Sequence, residues 1–255
     1  MKIAIITGAS SGMGREFVKQ ISCEDGLDEI WAVARRQEKL DELQGIAKCS
    51  IRTLPMDLRS EACTGILERL LEREKPEVSV LVCAAGFGRI GATESISRRD
   101  HDGMISVNCR AAVDVTLAAL PYMDEGSRII EICSVAGFNP LPRLNTYAAS
   151  KAFLMSWTKA LHHELFADGI HVTAMCPYWV KDTEFIPRAR KTDEKGIRHF
   201  PLASRPPSAV AWTLTLSRWN MWVASPSPVA LILRFFTKFI PHAIIVPIWD
   251  FIRRI

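Results

Sequence analysis

From Lys2 to Met175, short apolar runs alternate with segments that have helical spacing, and this rhythm limits the folds available to the chain. After a first strand at the N-terminus, predicted strands cover 28–34, 50–55, 78–83, 127–133 and 170–176, and predicted helices cover about 12–24, 37–45, 60–74, 99–120 and 145–167. Strands joined by helical crossovers pair in parallel and are buried on both faces. The sequence therefore predicts a single-domain α/β fold, a doubly wound parallel sheet with a ligand crevice at the carboxyl ends of its strands.

A glycine-rich segment follows the first predicted strand directly and precedes the first helix. It reads Thr7-Gly8-Ala9-Ser10-Ser11-Gly12-Met13-Gly14 and is called the glycine turn below. Glycines allow close approaches that a Cβ would block, and the N-terminus of the next helix points free N–H groups at an anion. The implied ligand is a pyrophosphate, although a tight strand-to-helix connection without a ligand would look similar.

A second motif, Tyr147-Ala148-Ala149-Ser150-Lys151, places a phenol and an ammonium on one helical face. Lowering a tyrosine pKa from ~10 to roughly 7 requires about 4 kcal/mol of preferential phenolate stabilisation. A desolvated lysine with a second positive charge could supply that energy. The pair is thus a candidate proton-transfer site, and a half-buried tyrosine beside a solvated lysine is the alternative for the motif alone.

Together these motifs resemble the short-chain dehydrogenase/reductase superfamily, whose turn reads Thr-Gly-x-x-x-Gly-x-Gly and whose active-site helix carries Tyr-x-x-x-Lys. The resemblance extends from Met1 to about Thr183 and implies a Rossmann-like fold. It also implies an oxidoreductase that transfers hydride between a nicotinamide cofactor and a substrate carbon.

The resemblance adds Ser134 and Asn108 to Tyr147 and Lys151 as a catalytic set. It implies that Tyr147 exchanges a proton with the substrate oxygen and that Ser134 hydrogen-bonds the same oxygen. Lys151 would hold the nicotinamide ribose and lower the tyrosine pKa, while Asn108 would position Lys151 and a water molecule.

The end of the second strand bears on the choice of cofactor. Sites that prefer NAD usually place an acidic residue there for the ribose 2′-hydroxyl. Here the position holds Ala34, and Arg35 and Arg36 follow, which suits a 2′-phosphate. We expect NADP(H) in preference to NAD(H), with a solvated basic turn as the alternative.

Further cofactor contacts are implied at the ends of other strands. The full expected set, with Arg35, Arg36, Asn108, Tyr147 and Lys151, comprises Gly8, Ser10, Ser11, Gly12, Met13, Gly14, Asp57, Leu58, Ala84, Ala85, Gly86, Pro177, Val180 and Thr183. Two stretches depart from the family pattern. Cys83-Ala84-Ala85-Gly86 replaces the usual Asn-Asn-Ala-Gly, and Pro177-Tyr178 replaces the usual Pro-Gly. The lost asparagines would remove hydrogen bonds near the centre of the sheet.

Beyond the resemblance, residues 184–207 form a basic segment with the composition of a substrate lid, and residues 208–255 are unusually apolar and aromatic. The apolar segment has three readings: pocket lining, oligomer interface, or peripheral membrane contact through 229–255. Basic residues and prolines interrupt it too often for a transmembrane anchor.

The apolar tail, with Tyr178 and Trp179 beside the expected cofactor, indicates a bulky lipophilic alcohol or ketone as substrate, contacted also by Ser134 and Tyr147. A hydroxysteroid or bile acid is the first expectation, and a 3-oxoacyl thioester is the alternative. A protein of another class, an NADP(H)-binding sensor without significant turnover, would not need the proton-transfer set.

The remaining expectations concern compartment and partners. Seven scattered cysteines favour a reducing compartment, and Met1–Ile6 is too short for a secretory segment, so we expect a cytoplasmic protein. Six histidines form no ligand cluster, so no metal is expected, and no nucleic-acid partner is expected either. The resemblance implies a homotetramer or homodimer packed through the helices that carry Asn108 and Tyr147.

Overall fold

A seven-stranded parallel sheet forms the centre of the molecule in a computed structural model that describes residues 1–193 and 202–252. Its strands are β1 Lys2–Thr7, β2 Glu29–Ala34, β3 Ser50–Pro55, β4 Glu77–Cys83, β5 Arg128–Ile132, β6 His171–Met175 and β7 Val223–Ala224. The spatial order is β3-β2-β1-β4-β5-β6-β7, and every neighbouring pair is parallel. The order reverses between β1 and β4, where a doubly wound sheet opens a crevice. The predicted fold class is confirmed.

Helices cover both faces of the sheet. They are α1 Gly12–Ile21, α2 Gln37–Asp41, α3 Glu61–Glu74, α4 Arg98–Ile105, α5 Ala111–Ala119, α6 Asn145–Glu164, α7 Phe185–Ala189, α8 Pro206–Arg218, α9 Pro228–Phe236 and α10 His242–Ile252. The strands and helices predicted up to Met175 agree with these bounds within a few residues. The sequence patterns had not assigned β7 or the helices after it.

The sheet separates two apolar cores, which explains why its strands read as continuous apolar runs. On β1, Ile3 and Ile5 belong to the core beneath α3, α5 and α6. Ala4 and Ile6 belong to the core beneath α1 and α8. Successive residues of a strand point to opposite faces, so one short run contributes to both cores.

The segments predicted to surround the substrate lie at the carboxyl ends of the strands. Of the predicted lid at 184–207, the structure describes α7 and a 3-10 turn at Arg190–Thr192, and residues 194–201 lie outside the described residues. Within the apolar segment at 208–255, the residues that the structure describes form most of α8 and all of β7, α9 and α10.

One helical stretch among the described residues, Arg98–Tyr122, is long and apolar enough to cross a membrane by length and composition alone. It comprises α4, a π-helical turn at Ser106–Arg110, α5 and a final 3-10 turn. Its centre holds the fully buried Asn108, and α5 packs against β4 and α3. We therefore interpret it as a core helix of this fold.

The glycine turn can form only because two of its glycines lack side chains. A Cβ on Gly14 would lie 2.3 Å from the carbonyl oxygen of Gly8, and a Cβ on Gly8 would lie 2.7 Å from that of Ala84. Gly8 also has a φ of +67°, a conformation that other residues rarely adopt. The turn is thereby held against the chain that leaves β4.

We predict that Gly14→Ala destabilises the protein by about 1–3 kcal/mol, because the added methyl group must displace backbone atoms. The free energy of unfolding from urea denaturation measures the loss. Gly45→Ala is the matched control, since a Cβ there meets nothing within 4 Å. Equal effects of the two substitutions would contradict the packing argument.

Candidate active site

A cavity of about 480 Å³ opens at the carboxyl ends of the strands, beside the point where strand order reverses. Its wall contains the glycine turn residues Gly8, Ser10, Ser11, Gly12, Met13 and Gly14, together with Arg35, Asp57, Leu58, Ala84, Ala85, Gly86, Ser134, Tyr147, Lys151, Pro177, Tyr178, Trp179, Val180 and Thr183. The structure thus brings together nearly all the residues that the sequence singled out. Arg36 and Asn108 lie behind the wall.

The Tyr147 phenol lies at the meeting point of α6 and the chain that leaves β5. Lys151 is one turn further along the buried face of α6, with its ammonium 5.9 Å from the centre of the Tyr147 ring. The Ser134 side chain is hydrogen-bonded to the phenol, and its Oγ also accepts a bond from the Ala136 N–H at 3.1 Å. These three groups have the arrangement needed to bind and protonate one oxygen atom.

Burial is the largest cause of the pKa shifts of Tyr147 and Lys151. It raises the pKa of the Tyr147 phenol above its ordinary value, while the hydrogen bond with Ser134 acts in the opposite direction. Burial also lowers the pKa of the Lys151 ammonium. In the protein alone, burial therefore favours the neutral form of the Tyr147 phenol. The lowering of its pKa that the resemblance implies with an oxidised cofactor bound stays a prediction.

The ammonium of Lys151 is hydrogen-bonded to the backbone of the central sheet. Its Nζ donates a hydrogen bond of 2.6 Å to the carbonyl oxygen of Ile132, the last residue of β5. A Cβ on Gly86 would lie only 3.5 Å from the same Nζ, so the turn after β4 passes close above it. Lys151 is consequently fixed between two strands at the floor of the cavity.

Asn108 acts through that turn and does not face the cavity. It lies in the π-helical turn between α4 and α5, a distortion often found at functional sites. Its side-chain Oδ1 accepts from the Phe87 N–H at 3.1 Å, and its Nδ2 donates to the Phe87 carbonyl and to Ser150 Oγ, both at 3.0 Å. Asn108 therefore joins the turn after β4 to the helix that carries Tyr147.

Near Cys83, where the chain departs from the family pattern, lies an acidic residue that the sequence analysis did not identify. Glu131 is fully buried on β5, where its Oε1 accepts a 2.9 Å hydrogen bond from Thr116 and its Oε2 has no hydrogen-bond partner. Thr116 Oγ1 lies 3.8 Å from Cys83 Sγ. Burial raises the pKa of Glu131 to about 7. A lone glutamate inside the apolar run Ile129–Ile132 was the available signal.

The two arginines after β2 occupy different positions. Arg35 is exposed and lines the cavity. Arg36 donates to both carboxylate oxygens of Glu184, at 3.0 and 2.9 Å, and to Ser10 Oγ at 3.3 Å. Glu184 also pairs with Arg188 at 2.6 Å. Arg36 thus connects the glycine turn to the start of α7, and Arg35 remains directed at the cavity.

The glycine turn and its surroundings fit a dinucleotide. Gly12 has a φ of +55° and precedes the free N–H groups of α1, which suits a pyrophosphate at this point. Asp57, the residue expected near the adenine, lies on the cavity wall and receives the guanidinium of Arg59 on both carboxylate oxygens. The other end of the cavity reaches Tyr147.

The far wall of the cavity is apolar and is built largely by residues that the sequence analysis had not identified. Phe185 of α7 packs against Tyr147 with ring centres 5.4 Å apart. Trp249 of α10 donates its indole N–H to the carbonyl of Pro142 at 3.2 Å, which ties α10 to the turn before α6. Further wall residues are Leu141, Leu144, Leu233, Phe236, Thr237, Ile240, Ile245 and Ile248. Part of the apolar segment at 208–255 therefore lines the pocket, as one of its three interpretations predicted.

Comparisons with known proteins agree with this arrangement. A family model described as short chain dehydrogenase matches residues 2–194, and the chain belongs to that family. A short-chain dehydrogenase from Sphingobium yanoikuyae, solved in complex with NADPH, superposes with a TM-score of 0.79 at 25% identity and covers 93% of this chain and 92% of its own.

Two curated relatives are similar in sequence. A very-long-chain 3-oxoacyl-CoA reductase of Pyrenophora tritici-repentis is 34% identical over 202 residues, which is 74% of this chain and 57% of the relative. Sulfoacetaldehyde reductase 2 of Chromohalobacter salexigens is 33% identical over 193 residues, which is 72% of this chain and 74% of the relative. The chain spans little more than half the length of the fungal relatives it matches.

The buried Glu131 leads to a prediction about stability and pH. Its pKa rises from 4.5 to about 7 on folding, so the folded state holds a proton that the unfolded state releases between these values. Stability must therefore fall as pH rises through this window, by up to ~3 kcal/mol at about 1.4 kcal/mol per pKa unit. Glu131→Gln removes the titrating group. We expect the variant to gain stability relative to the parent between pH 5 and pH 8.

Urea denaturation of both proteins at several pH values measures this difference. Glu77→Gln is a control, because Glu77 is a half-exposed residue in a surface pair with Lys2. A stability profile for Glu131→Gln that runs parallel to the parent across the window would show that Glu131 does not change protonation on folding.

Proposed function

We propose that this protein is an NADP(H)-dependent oxidoreductase that reduces a ketone on a bulky, lipophilic substrate. One observation carries the proposal: a single cavity joins the dinucleotide-shaped glycine turn to an apolar chamber, with Tyr147 and Ser134 at the boundary. A nicotinamide placed at that boundary would face the substrate carbon, and the apolar walls would hold the remainder of the substrate.

Each residue of the set has a role in this reaction. When bound, NADPH supplies the hydride. Tyr147, neutral because it is buried, donates its proton to the developing alkoxide, and Ser134 hydrogen-bonds the same oxygen. Lys151, fixed at the cavity floor, would contact the ribose of a bound cofactor and contribute positive charge below the phenol. Asn108 keeps the turn after β4 in place above Lys151.

The names of two relatives support reduction as the direction of the reaction. Both curated relatives described above have names that contain the word reductase. Burial keeps the Tyr147 phenol protonated in the protein alone, which is the form that can give a proton to a carbonyl oxygen. The same burial opposes the phenolate that this step leaves behind, so positive charge from Lys151 and from the oxidised cofactor would be needed to stabilise it.

Two substrate classes suit an apolar chamber of this kind. A long 3-oxoacyl thioester is supported by the names of the fungal relatives. A hydroxysteroid or bile acid would use the flat aromatic faces of Tyr178 and Trp179 beside the cofactor. An NADP(H)-binding sensor remains the alternative from a different class, and turnover separates it from both enzymes.

NADPH consumption by the purified protein tests the proposal. The panel should contain ketosteroids, keto bile acids and 3-oxoacyl-CoA thioesters of increasing chain length. Reduction of at least one lipophilic ketone, with a rate that increases with apolar size, is the expected result. NADPH binding without consumption of NADPH across the whole panel would favour the sensor.

We predict that Tyr147→Phe lowers kcat by about 10²–10⁴-fold, because it removes the proton donor and leaves the ring in place. The dissociation constant for NADPH should change little, as measured by nucleotide fluorescence. Phe185→Leu is a control that alters the ring beside Tyr147 and leaves the hydroxyl intact. Substantial turnover by Tyr147→Phe would overturn the acid assignment.

Arg35→Ala tests the cofactor preference. Loss of a charged donor to the 2′-phosphate should weaken NADPH by roughly 10- to 100-fold and leave NADH nearly unchanged. Titration of each nucleotide gives the two dissociation constants. Arg73→Ala, at an arginine that is 70% exposed and paired with Glu74, serves as the control. Equal losses for both nucleotides would remove the argument for NADP(H).

A further inference from the structure

A row of large apolar side chains on α9 and the turn after it faces solvent. Leu231, Ile232, Phe235 and Phe239 form this row, called the outer stripe, with Phe235 60% exposed and Phe239 70% exposed. The rings of Phe235 and Phe239 lie 5.1 Å apart, so the outer stripe is continuous across the end of the helix. Isolated exposed apolar residues are common, but a continuous aromatic row of this kind marks an interaction surface.

The other side of the same segment lines the cavity. Leu233, Phe236, Thr237 and Ile240 recur at helical spacing along the cavity wall, and Phe236 is itself 51% exposed. A segment that only enclosed a cavity would need one apolar side, and this one has two. The outer stripe and the substrate chamber are therefore separated by the thickness of one helix.

The α10 helix repeats this division. Its residues Ile245 and Trp249 line the cavity, whereas Ile244 and Phe251 are more than half exposed. Apolar surface thus extends from the outer stripe onto a second helix that also forms part of the cavity wall.

The charge around this surface is positive. Lys238 is exposed next to Phe239, and α9 itself contains Arg234 and no acidic residue. Among the described residues from 228 to 252, Arg234 and Lys238 are the cations and Asp250 is the acidic residue, and Arg253 and Arg254 follow in the sequence. Large apolar groups flanked by cations are the composition that binds the headgroup region of an anionic membrane.

We propose that the outer stripe docks the protein on an anionic lipid surface, with α9 and α10 lying at the boundary between the bilayer and the cavity. This inference goes beyond the proposed reaction and does not depend on it. A second copy of the chain is a poorer occupant, because a two-fold contact would bring two copies of the same positively charged surface together. An anionic lipid surface complements the same charge.

Docking in this orientation has a consequence for substrate entry. The segment between cavity and lipid is one helix and a turn, and its residues are apolar on both sides. A lipophilic substrate could pass from the bilayer to the chamber without crossing water. The surface and the chamber would then serve the same class of molecule.

Flotation of the purified protein with vesicles tests the proposal without requiring turnover. Vesicles of phosphatidylcholine mixed with phosphatidylserine are compared with vesicles of phosphatidylcholine alone, at low and high salt. We expect binding to the mixed vesicles that weakens at high salt. No binding of the parent protein to mixed vesicles at low salt would overturn the proposal.

Variants locate the binding surface. Phe235→Ser/Phe239→Ser should lower binding by about tenfold or more, because it removes two large apolar groups that would enter the interface. Neither residue lines the cavity, so NADPH binding should persist and serves as the check of folding. Phe166→Ser, at a phenylalanine that is 63% exposed in the turn after α6, is the matched control and should bind like the parent. Equal losses in the control and the double variant would contradict the assignment.

Lys238→Glu tests vesicle binding independently if the double variant does not fold. Lys238→Glu should reduce binding to mixed vesicles severalfold and leave binding to phosphatidylcholine alone unchanged. Unchanged binding to the mixed vesicles would contradict the electrostatic part of the proposal.

Sedimentation in the absence of lipid measures the oligomeric state and tests whether a second copy of the chain covers the outer stripe instead. A dimer that Phe235→Ser/Phe239→Ser dissociates, together with no vesicle binding, would assign the outer stripe to a second copy.

Discussion

The close packing of α6 against the turn after β5 is the contact on which the site depends. A Cβ on Gly137 would lie 2.8 Å from the backbone of Lys151, so this turn and the helix touch without an intervening side chain. That approach lets Nζ of Lys151 reach the Ile132 carbonyl at 2.6 Å and brings Ser134 to Tyr147. A wider separation would break both contacts. The geometry of proton transfer is therefore set by backbone packing in the core.

Burial has two opposing effects at this site. It excludes water from Tyr147 and Lys151, which strengthens their interactions with any ligand. It also keeps the phenol neutral and leaves the nearby Glu131 close to half-protonated at neutral pH. The same low-polarity environment thus keeps the proton on Tyr147 in the protein alone and makes the sheet centre sensitive to pH.

Local patterns predicted the sheet up to β6, and the family resemblance supplied the residues on the cofactor side of the cavity wall. Apolar runs and glycines determine β1 and its turn, and the resemblance located Tyr147 and Ser134. The contacts of Arg36 and Asn108 could not be predicted from local patterns. Arg36 is engaged by Glu184, which lies 148 positions away in the chain, and Asn108 is turned to Phe87. Long-range partners of this kind leave no periodic signal.

The apolar segment after β6 shows the same limit. Its composition was consistent with a pocket, an interface or a membrane surface, and only the fold shows that one side of α9 lines the cavity while the other is exposed. Peripheral membrane contact and homo-oligomer formation remain predictions. Exposed apolar residues on the helices near Asn108 and Tyr147, namely Ile105, Leu117 and Phe153, offer a surface for the second of these.

In the proposed reaction, one cavity presents a lipophilic ketone to Tyr147 and Ser134, between the cofactor and α10. A crystal structure of the protein with NADPH and a lipophilic ketone would test this arrangement. We expect the carbonyl oxygen within hydrogen-bond distance of both hydroxyl groups, and the apolar body of the ligand against Trp249 and Leu233. A carbonyl remote from Tyr147, or a ligand bound outside the chamber, would contradict it.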